Sequence, residues 1–463
     1  MDLKHAAKAV LEDPVLAKLS CMARQRKVSL YVVGGYIRDL FLGIHRRDYD
    51  LALPSEASSF IPEIEGVLGF RFFIIGKEEN GTATYRIIKP DLSIDLTLLH
   101  GKTIDEDLRR RDFTINAIAF SLRDETFHRV ANALEDIAGR IIRAVTDRSI
   151  DQDPLRMLRA IRYLSSLDGF DLDRKLVEEL SLKKSLIEDV AAERIKLEID
   201  KILLSRRRTL GMNVLHESGL LLAIFPELRG LESLDQGQYH HLDALLHTLL
   251  ALEKIPWAME WLASRRLVLS PSEEEQLSLC YAALFHDLGK HEARWQGEDG
   301  RVHFYHHEVY SCLAAEKAME RLRFSNLMKD KVLCLVRNHM AILNLSSQTK
   351  ESAFKRLVNR TGDLTPLLVC LTLADKQAGR GSLSVSRDEE IEGYCLRIME
   401  LSRQDEIVHP PSLITGHDVM ALGVAAGPRV GQWLALIREK QVAGEIRTRE
   451  EALKVLRNEV HPS

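Results

Sequence analysis

The stretch Tyr31–Leu53, YVVGGYIRDLFLGIHRRDYDLAL, decides how the chain is read. It parses as strand, glycine turn, short helix and second strand. Val32 and Val33 close an apolar run that begins at Val28, and Gly34 and Gly35 follow at once. A glycine pair turns sharply and lets an anion approach backbone N–H groups. The helix expected from Tyr36 stops at Gly43, and its N-terminus adds unpaired N–H groups facing the same anion. Asp48 and Asp50 lie two apart in DYDLAL. Residues two apart on a strand share a face, so both carboxylates project together. Two hard oxygen ligands on a rigid face, beside a phosphate cradle, suit Mg²⁺ held between protein and a triphosphate.

Downstream, FRFFIIG, TATYRII and SIDLTLL read as further strands. Asp95 lies inside the last of them; it either completes a carboxylate trio or faces solvent. EDLRRRDFTINAIAF then sets Arg110, Arg111 and Asp112 before a short apolar segment, expected to be helical, that holds the polar Asn116. Guanidinium forks match phosphate and ribose oxygens. A run of charge is usually a solvated face, but one running directly into an apolar segment with a buried amide is not.

These elements resemble the nucleotidyltransferase core of the bacterial tRNA nucleotidyltransferase and poly(A) polymerase family, the CCA-adding enzymes of class II. The GG, RD and DxD elements match Gly34, Gly35, Arg38, Asp39, Asp48 and Asp50, and the RRDFTxNA motif matches Arg110, Arg111, Asp112 and Asn116. The resemblance implies Asp48 and Asp50 as catalytic Mg²⁺ ligands. It implies Gly34, Gly35, Arg38, Arg110, Arg111, Asp112 and Asn116 as nucleotide-binding residues. One departure is VANALEDIAGRIIRAV, which keeps Asp136 and Gly139 but lacks the family's Asp-Pro.

DQDPLRMLRAIRYL follows, with Pro154 at a helix start, where proline is tolerated. Arg156, Arg159 and Arg162 repeat at three-residue spacing along one side, and Arg162 is expected in a solvated stripe. A carboxylate such as Asp153 accepts from the exocyclic amine of C or A, and an arginine such as Arg156 donates to their ring acceptors. The stretch resembles the family's EDxxR element, in which side chains replace a nucleic-acid template, with Gln152 where Glu is common. That implies Asp153, Arg156 and Arg159 at the nucleotide. ERIKLEIDKILLS, with Glu193, Arg194 and Glu198, resembles the family's neck motif, expected to be structural, with Glu193 and Arg194 as buttresses of the nucleotide pocket. Arg206–Arg208 is either a contact to the tRNA backbone or a solvated helix end.

The next region is rich in histidine: His240, His241, Asp243 and His247 on one expected helix, His286-Asp287 at the end of another, then His303, His306, His307, Glu308, His339 and Asp375. Imidazole and carboxylate on a helical scaffold suit one or two divalent transition metals. A His-Asp doublet at an apolar helix end needs partners. The order His247, His286-Asp287, His307, His339, Asp375 resembles the HD phosphohydrolase superfamily, with His307 preferred over His306 because Glu308 follows it. The resemblance implies a dinuclear phosphoesterase centre, used by some tRNA nucleotidyltransferases as a phosphatase or 2′,3′-cyclic phosphodiesterase.

With 463 residues, the chain is long enough for about two to four domains. A net charge of −4 excludes a globally basic nucleic-acid binder, so an RNA partner is expected to meet a local patch. No apolar run is long enough to span a membrane. The N-terminus reads as an amphipathic helix, not a signal peptide. Cys21, Cys280, Cys312, Cys334, Cys370 and Cys395 lack CxxC spacing and are expected to be free thiols in a reduced cytoplasm. The expected fold is α+β: a small head with a mixed sheet over 1–145, a helical neck over 146–235, a helical HD domain over 236–385 and a helical tail over 386–463. The resemblance implies CMP or AMP transfer from CTP or ATP to the 3′ end of tRNA. A poly(A) polymerase, or a phosphohydrolase with a non-catalytic RNA-binding head, is the alternative.

Overall fold

A computed structural model describes residues 2–45, 47–75, 83–236, 242–298, 301–379 and 387–460. His240 and His241 lie outside the described residues. The chain divides into two compact units, Met1–Ile224 and Phe225–Ser463.

The first unit opens with helices Leu3–Glu12 and Pro14–Arg26. Asp2 and Asp13 cap them, Asp13 accepting from the N–H groups of Val15 and Leu16, with Pro14 at the tolerant first position. A seven-stranded sheet follows. Its strands are β1 (Tyr31–Val33), β2 (Asp48–Leu53), β3 (Phe73–Ile75), β4 (Thr84–Lys89), β5 (Leu92–Leu98), β6 (Ile118–Ser121) and β7 (Phe127–Arg129). Their order is β3-β4-β5-β2-β1-β6-β7. β2 and β5 are parallel and the other pairs antiparallel, so the sheet is mixed. β1 and β6 are buried throughout, as continuous apolar runs require. The segment expected as a helix around Asn116 is instead a 3₁₀ turn, Thr114–Asn116, leading into β6. Pairing of Ile118–Phe120 along β1 and β7 outweighs the local preference.

Helices Arg156–Ser166, Arg174–Leu182, Ala192–Leu204 and Arg208–Glu217 complete the unit, with a short ladder of β8 (Ile141–Ile142) and β9 (Asp171–Leu172). The stripe expected to be solvated at Arg162 is not: Arg162 forms an ion pair at 2.7 Å with buried Glu198 on Ala192–Leu204.

The second unit is helical apart from one hairpin, β10 (Arg294–Gln296) and β11 (Val302–Phe304). Helix Thr365–Ala378 is buried on nearly every side and packs along Ala244–Ser264. Around this pair stand Glu273–Phe285, His307–Arg321 and Asn326–Leu343. Ser272 and Glu275 form a capping box that starts Glu273–Phe285. Helices Gly416–Met420, Pro428–Val442 and Arg449–Val460 close on their own core of Ile414, Val419, Ile437, Ile446, Ala452 and Leu456. All six cysteines are free thiols, and only Cys21 is exposed. No helix among the described residues is long and apolar enough to cross a membrane.

Candidate active site and candidate metal centre

The turn after β1 begins at Gly34, whose φ of +68° and ψ of −126° suit only glycine. A Cβ there would also stand 3.0 Å from Arg111 Nη1 and 3.4 Å from Asp50 Oδ2. The Gly35 N–H donates to the Asp50 carboxylate. Asp50 pairs in register with Asp95 across the parallel β2–β5 ladder, and Asp48 lies two residues back at the exposed start of β2. The three carboxylates thus share one face. Burial pushes Asp50 up to about 6, opposed by Arg111 and assisted by Asp48 and Asp95. Asp95 is bound by both arms of Arg86, at 2.5 Å each, which leaves it less free than Asp48 to take a cation.

A cavity of about 270 Å³ gathers Gly34, Gly35, Asp50, Arg111, Asp112, Asn116, Asp153, Arg156, Arg159, Tyr163 and Arg194. Nine of these are legible in the sequence as nucleotide or metal residues, Arg194 is legible as a buttress of the pocket, and Tyr163 carries no sequence signal that places it here. Arg159 clasps Asp112 Oδ2 at 2.8 and 2.6 Å. Asp112 Oδ1 accepts from the Phe113 N–H and Asn116 Nδ2. Although burial opposes its charge, Arg159 and these donors hold the Asp112 carboxyl below the usual range.

Arg38 does not line the cavity. It is buried, donating to Asp39 Oδ1 at 2.8 and 2.6 Å and to Asn116 Oδ1 at 2.8 Å. Arg110 is exposed, and its carbonyl accepts from Arg156 Nη2 at 2.6 Å. Arg156 also donates to the Ser149 hydroxyl, and Asp153 Oδ2 accepts from Arg194 at 2.9 Å. In the basic cluster after the neck helix, Arg207 donates to the Leu167 carbonyl while Arg206 is exposed.

The second unit brings the histidines and aspartates together as two triads. His247, His286 and Asp375 form one, and Asp287, His307 and His339 the other; all six are buried. Asp287 bridges them, Oδ2 lying 3.1 Å from His286 Nε2 and Oδ1 3.3 Å from His307 Nε2. His247 Nε2 meets Asp375 Oδ1 at 2.9 Å. His306, the rival of His307, is exposed and stands outside both triads, 3.6 Å from Glu308.

The local chain explains these positions. His286 caps Glu273–Phe285 and His307 opens the helix to Arg321. Gly289 lets that helix approach, since a Cβ would strike the His307 carbonyl and the Ser311 N–H. The Nδ1 atoms of His286, His307 and His339 face the carbonyls of Ala283, Phe304 and Val336 at 2.7–2.8 Å. A carbonyl only accepts, so each Nδ1 carries a proton, and Nε2 is the ring atom turned inward. Burial, with His307 and His286, pushes His339 down to about 3, so it stays neutral. The Nε2 atoms of His307 and His339 lie 2.9 Å apart, an arrangement in which both can turn toward one shared cation. Against burial, Asp287 and Asp375 push His286 up to about 10. The donor set of imidazoles and carboxylates fits a divalent transition metal.

Residues 30–143 match the Poly A polymerase head domain, and residues 169–231 match the probable RNA and SrmB-binding site of polymerase A. The CC-adding tRNA nucleotidyltransferase of Thermus thermophilus is 33% identical over 91% of this chain and 92% of its own. The A-adding tRNA nucleotidyltransferase of Deinococcus radiodurans is 30% identical over 91% and 93%. Among solved structures, the Thermotoga maritima CCA-adding enzyme complexed with tRNA shares the fold, with a TM-score of 0.60 and 20% identity over 100% of this chain and 99% of that one. With a head match, a neck match and near full-length relatives, the chain belongs to the family of tRNA nucleotidyltransferases and poly(A) polymerases.

Proposed function

We propose that the first unit transfers CMP, AMP or both from CTP and ATP to the 3′ end of tRNA, building or repairing its CCA terminus without a template. One observation carries this reading: a single cavity joins the glycine cradle and Asp50 to Asp153 and Arg156. The relatives named for CC addition and for A addition support tRNA as the acceptor. Asp48 and Asp50 fit Mg²⁺, because crowded carboxylates with Asp50 already pushed up to about 6 gain from a cation. Bound there, Mg²⁺ supplies a Lewis acid for the triphosphate and lowers the pKa of the RNA 3′-hydroxyl.

The chain's own groups do the rest. Gly34, Gly35 and Arg111 face the phosphates. Asp112 and Asn116, fixed by Arg159 and Arg38, hold the ribose. Asp153 accepts from the amine shared by C and A, and Arg156 donates to the ring. An entering base competes with Arg194 for Asp153 and with Ser149 for Arg156. Arg38 is assigned a positioning role, since its donors are engaged by Asp39 and Asn116. Free thiols and the tRNA acceptor fit a cytoplasmic protein. As functional segments we assign 1–145 to the head, 146–235 to the neck, 236–385 to a metal-dependent phosphohydrolase of the HD type and 386–463 to the tail.

In that third segment His247, His286, Asp287, His307, His339 and Asp375 would hold one or two divalent transition metals. A metal there supplies an activated water for phosphoester hydrolysis. Lys290, with Nζ 2.6 Å from Asp287 Oδ2, offsets carboxylate charge beside it.

The deciding experiment offers the enzyme tRNAs that end before, within and after the terminal triplet, with CTP and ATP separately. Addition that stops at the triplet is expected. A growing homopolymer on unstructured RNA with ATP alone would reassign the protein as a poly(A) polymerase.

A further inference from the structure

A small polar cluster stands behind the strand that carries the paired aspartates. Asp48 and Asp50 share one face of β2, and Tyr49 between them points to the other, where it is 1% exposed. Its hydroxyl donates to Asp13 Oδ2 at 2.8 Å. Asp13 Oδ1 is engaged elsewhere, capping the helix Pro14–Arg26 through the N–H groups of Val15 and Leu16. Tyr36, the second residue of the helix Gly35–Phe41, stacks on Tyr49 with ring centroids 5.1 Å apart and 28° between planes. The Tyr36 hydroxyl lies 3.5 Å from the same Asp13 oxygen, so its ring, more than its hydroxyl, ties it in. Burial, with Asp13 alongside, pushes both phenols up, so each keeps its proton for the carboxylate.

The cluster sits where β2 is least held. The β1 ladder pairs Leu51 and Ala52, but β1 turns off at Gly34, and Asp48–Asp50 lie past the end of that ladder. There β5 is the strand partner. A hydrogen bond to a carboxylate is stronger than one between neutral groups, and it fixes direction as well. Asp13 therefore joins a helix N-terminus, the residue between two metal carboxylates and, through the stacked ring, the helix that follows the glycine cradle.

We infer that Asp13 and Tyr49 are positioning residues of the transfer site, holding the Asp48–Asp50 end of β2 from behind at the spacing that Mg²⁺ requires. The inference rests on the transferase reading above. Both residues act through β2, from the face opposite the metal carboxylates. Asp13 is half-buried and borders a cavity of about 390 Å³ that His45 and Arg47 also line. Losing the tyrosine hydroxyl thus strands no fully buried charge, and the variants below are expected to fold.

Two measurements on the full chain test it. Tyr49→Phe removes one hydroxyl. In Asp13→Ser the single side-chain oxygen keeps the helix cap and leaves none for the tyrosine. The first measurement is hydrogen exchange without metal. Amides of Asp48–Leu53 are expected to exchange about tenfold faster in both variants, the factor that a weaker hydrogen bond to a charged group is worth, while those of β6 and β7 keep the wild-type rate. The second titrates Mg²⁺, reading CTP and ATP binding without acceptor and then transfer to a tRNA that lacks its terminus. Both variants are expected to need about tenfold more Mg²⁺ for half-maximal binding and transfer, with KM for the tRNA unchanged. The double variant is expected to be no worse than either single one, since the two changes remove the same bond. Wild-type exchange and an unchanged Mg²⁺ requirement in Tyr49→Phe overturn the inference. Faster exchange with an unchanged Mg²⁺ requirement makes the bond a matter of stability alone and overturns it equally. A wild type that binds nucleotide with Mg²⁺ but transfers it to no tRNA overturns the transferase reading, and exchange and binding then decide the tether by themselves.

Discussion

Asp50 is charged where the fold alone would prefer it neutral. Burial raises its pKa to about 6, with Asp48 and Asp95 adding to the effect and Arg111 opposing it. A carboxyl whose folded-state pKa exceeds its unfolded value of about 4 binds protons more readily when folded. In the metal-free protein its contribution to stability is therefore gained as pH falls from about 6 toward 4, and its charge is a cost at neutral pH. Asp50→Asn is expected to stabilise chelator-treated protein at pH 7 by on the order of 2 kcal/mol, read as a higher melting temperature, and to abolish nucleotide transfer. The pH-dependent difference from wild type should vanish below about pH 4. A lower melting temperature at pH 7 would contradict the burial argument. Protons also compete with Mg²⁺ for this carboxylate, so transfer is expected to weaken below about pH 6. At this scale the sequence was legible wherever neighbours in the chain are neighbours in space: Gly34-Gly35 and Asp48-x-Asp50 declare themselves by spacing. Arg38 and Arg162 did not. Their partners, Asn116 and Glu198, lie far along the chain, and a guanidinium gives no local sign of which carboxylate or amide it will meet.

Between β1 and the helix Gly35–Phe41, the turn at Gly34 joins backbone conformation to charge placement. Gly34→Ala strains φ/ψ by about 1–3 kcal/mol and presses a methyl group against Arg111 and Asp50. The expected result is a raised KM for CTP and ATP together with a lower melting temperature, measured by steady-state kinetics and thermal unfolding. Helices Arg156–Ser166 and Ala192–Leu204 are held by the Arg162–Glu198 pair, whose carboxylate is almost fully buried. Removing Arg162 leaves the buried Glu198 carboxylate with Lys201, at 3.5 Å, as its remaining ionic partner, so Arg162→Ala is expected to destabilise the protein by up to about 3–5 kcal/mol. Arg162→Met with Glu198→Leu should recover most of the loss in chemical denaturation, because neither charge then remains. Elements with strong period or punctuation were readable: the helix that ends at His286, and β2 with its alternating carboxylates. Two were not. The apolar run through Ile118–Phe120 lacks either period, and only its partners β1 and β7 make it a strand. The hairpin β10–β11 was hidden because the histidines around it were read as ligands, whereas His303 alternates with Phe304 on a strand.

The largest scale sets two clusters of polar side chains in one chain, one within each compact unit, for which two chemistries are proposed. Legibility was good here for order along the chain, since each motif set is contiguous. It was poorer for the bridging of the triads by Asp287, since their six side chains come from five helices that must be in place at once. Independence of the sites gives a crossed test. Asp48→Ala should abolish nucleotide transfer and spare hydrolysis of a phosphoester, and Asp287→Ala should do the reverse; loss of both activities in either variant would contradict two separate centres. Metal removal extends the test to stability. A ligand that binds only the folded state stabilises by RT ln(1 + [L]/Kd), about 2.7 kcal/mol at a hundredfold excess over Kd. The cluster of His247, His286, Asp287, His307, His339 and Asp375 is buried and gathers its ligand atoms in two groups of three, so a cation held there binds the folded state alone. Chelation should therefore lower the unfolding transition of the second unit, and Mn²⁺ should restore it. In Asp287→Ala the transition should no longer respond to Mn²⁺, while in Asp48→Ala the response should remain. Calorimetry paired with elemental analysis reads both. A second-unit transition indifferent to Mn²⁺ in the wild type, with no metal retained, would mean that these six side chains are a structural polar core and not a metal centre.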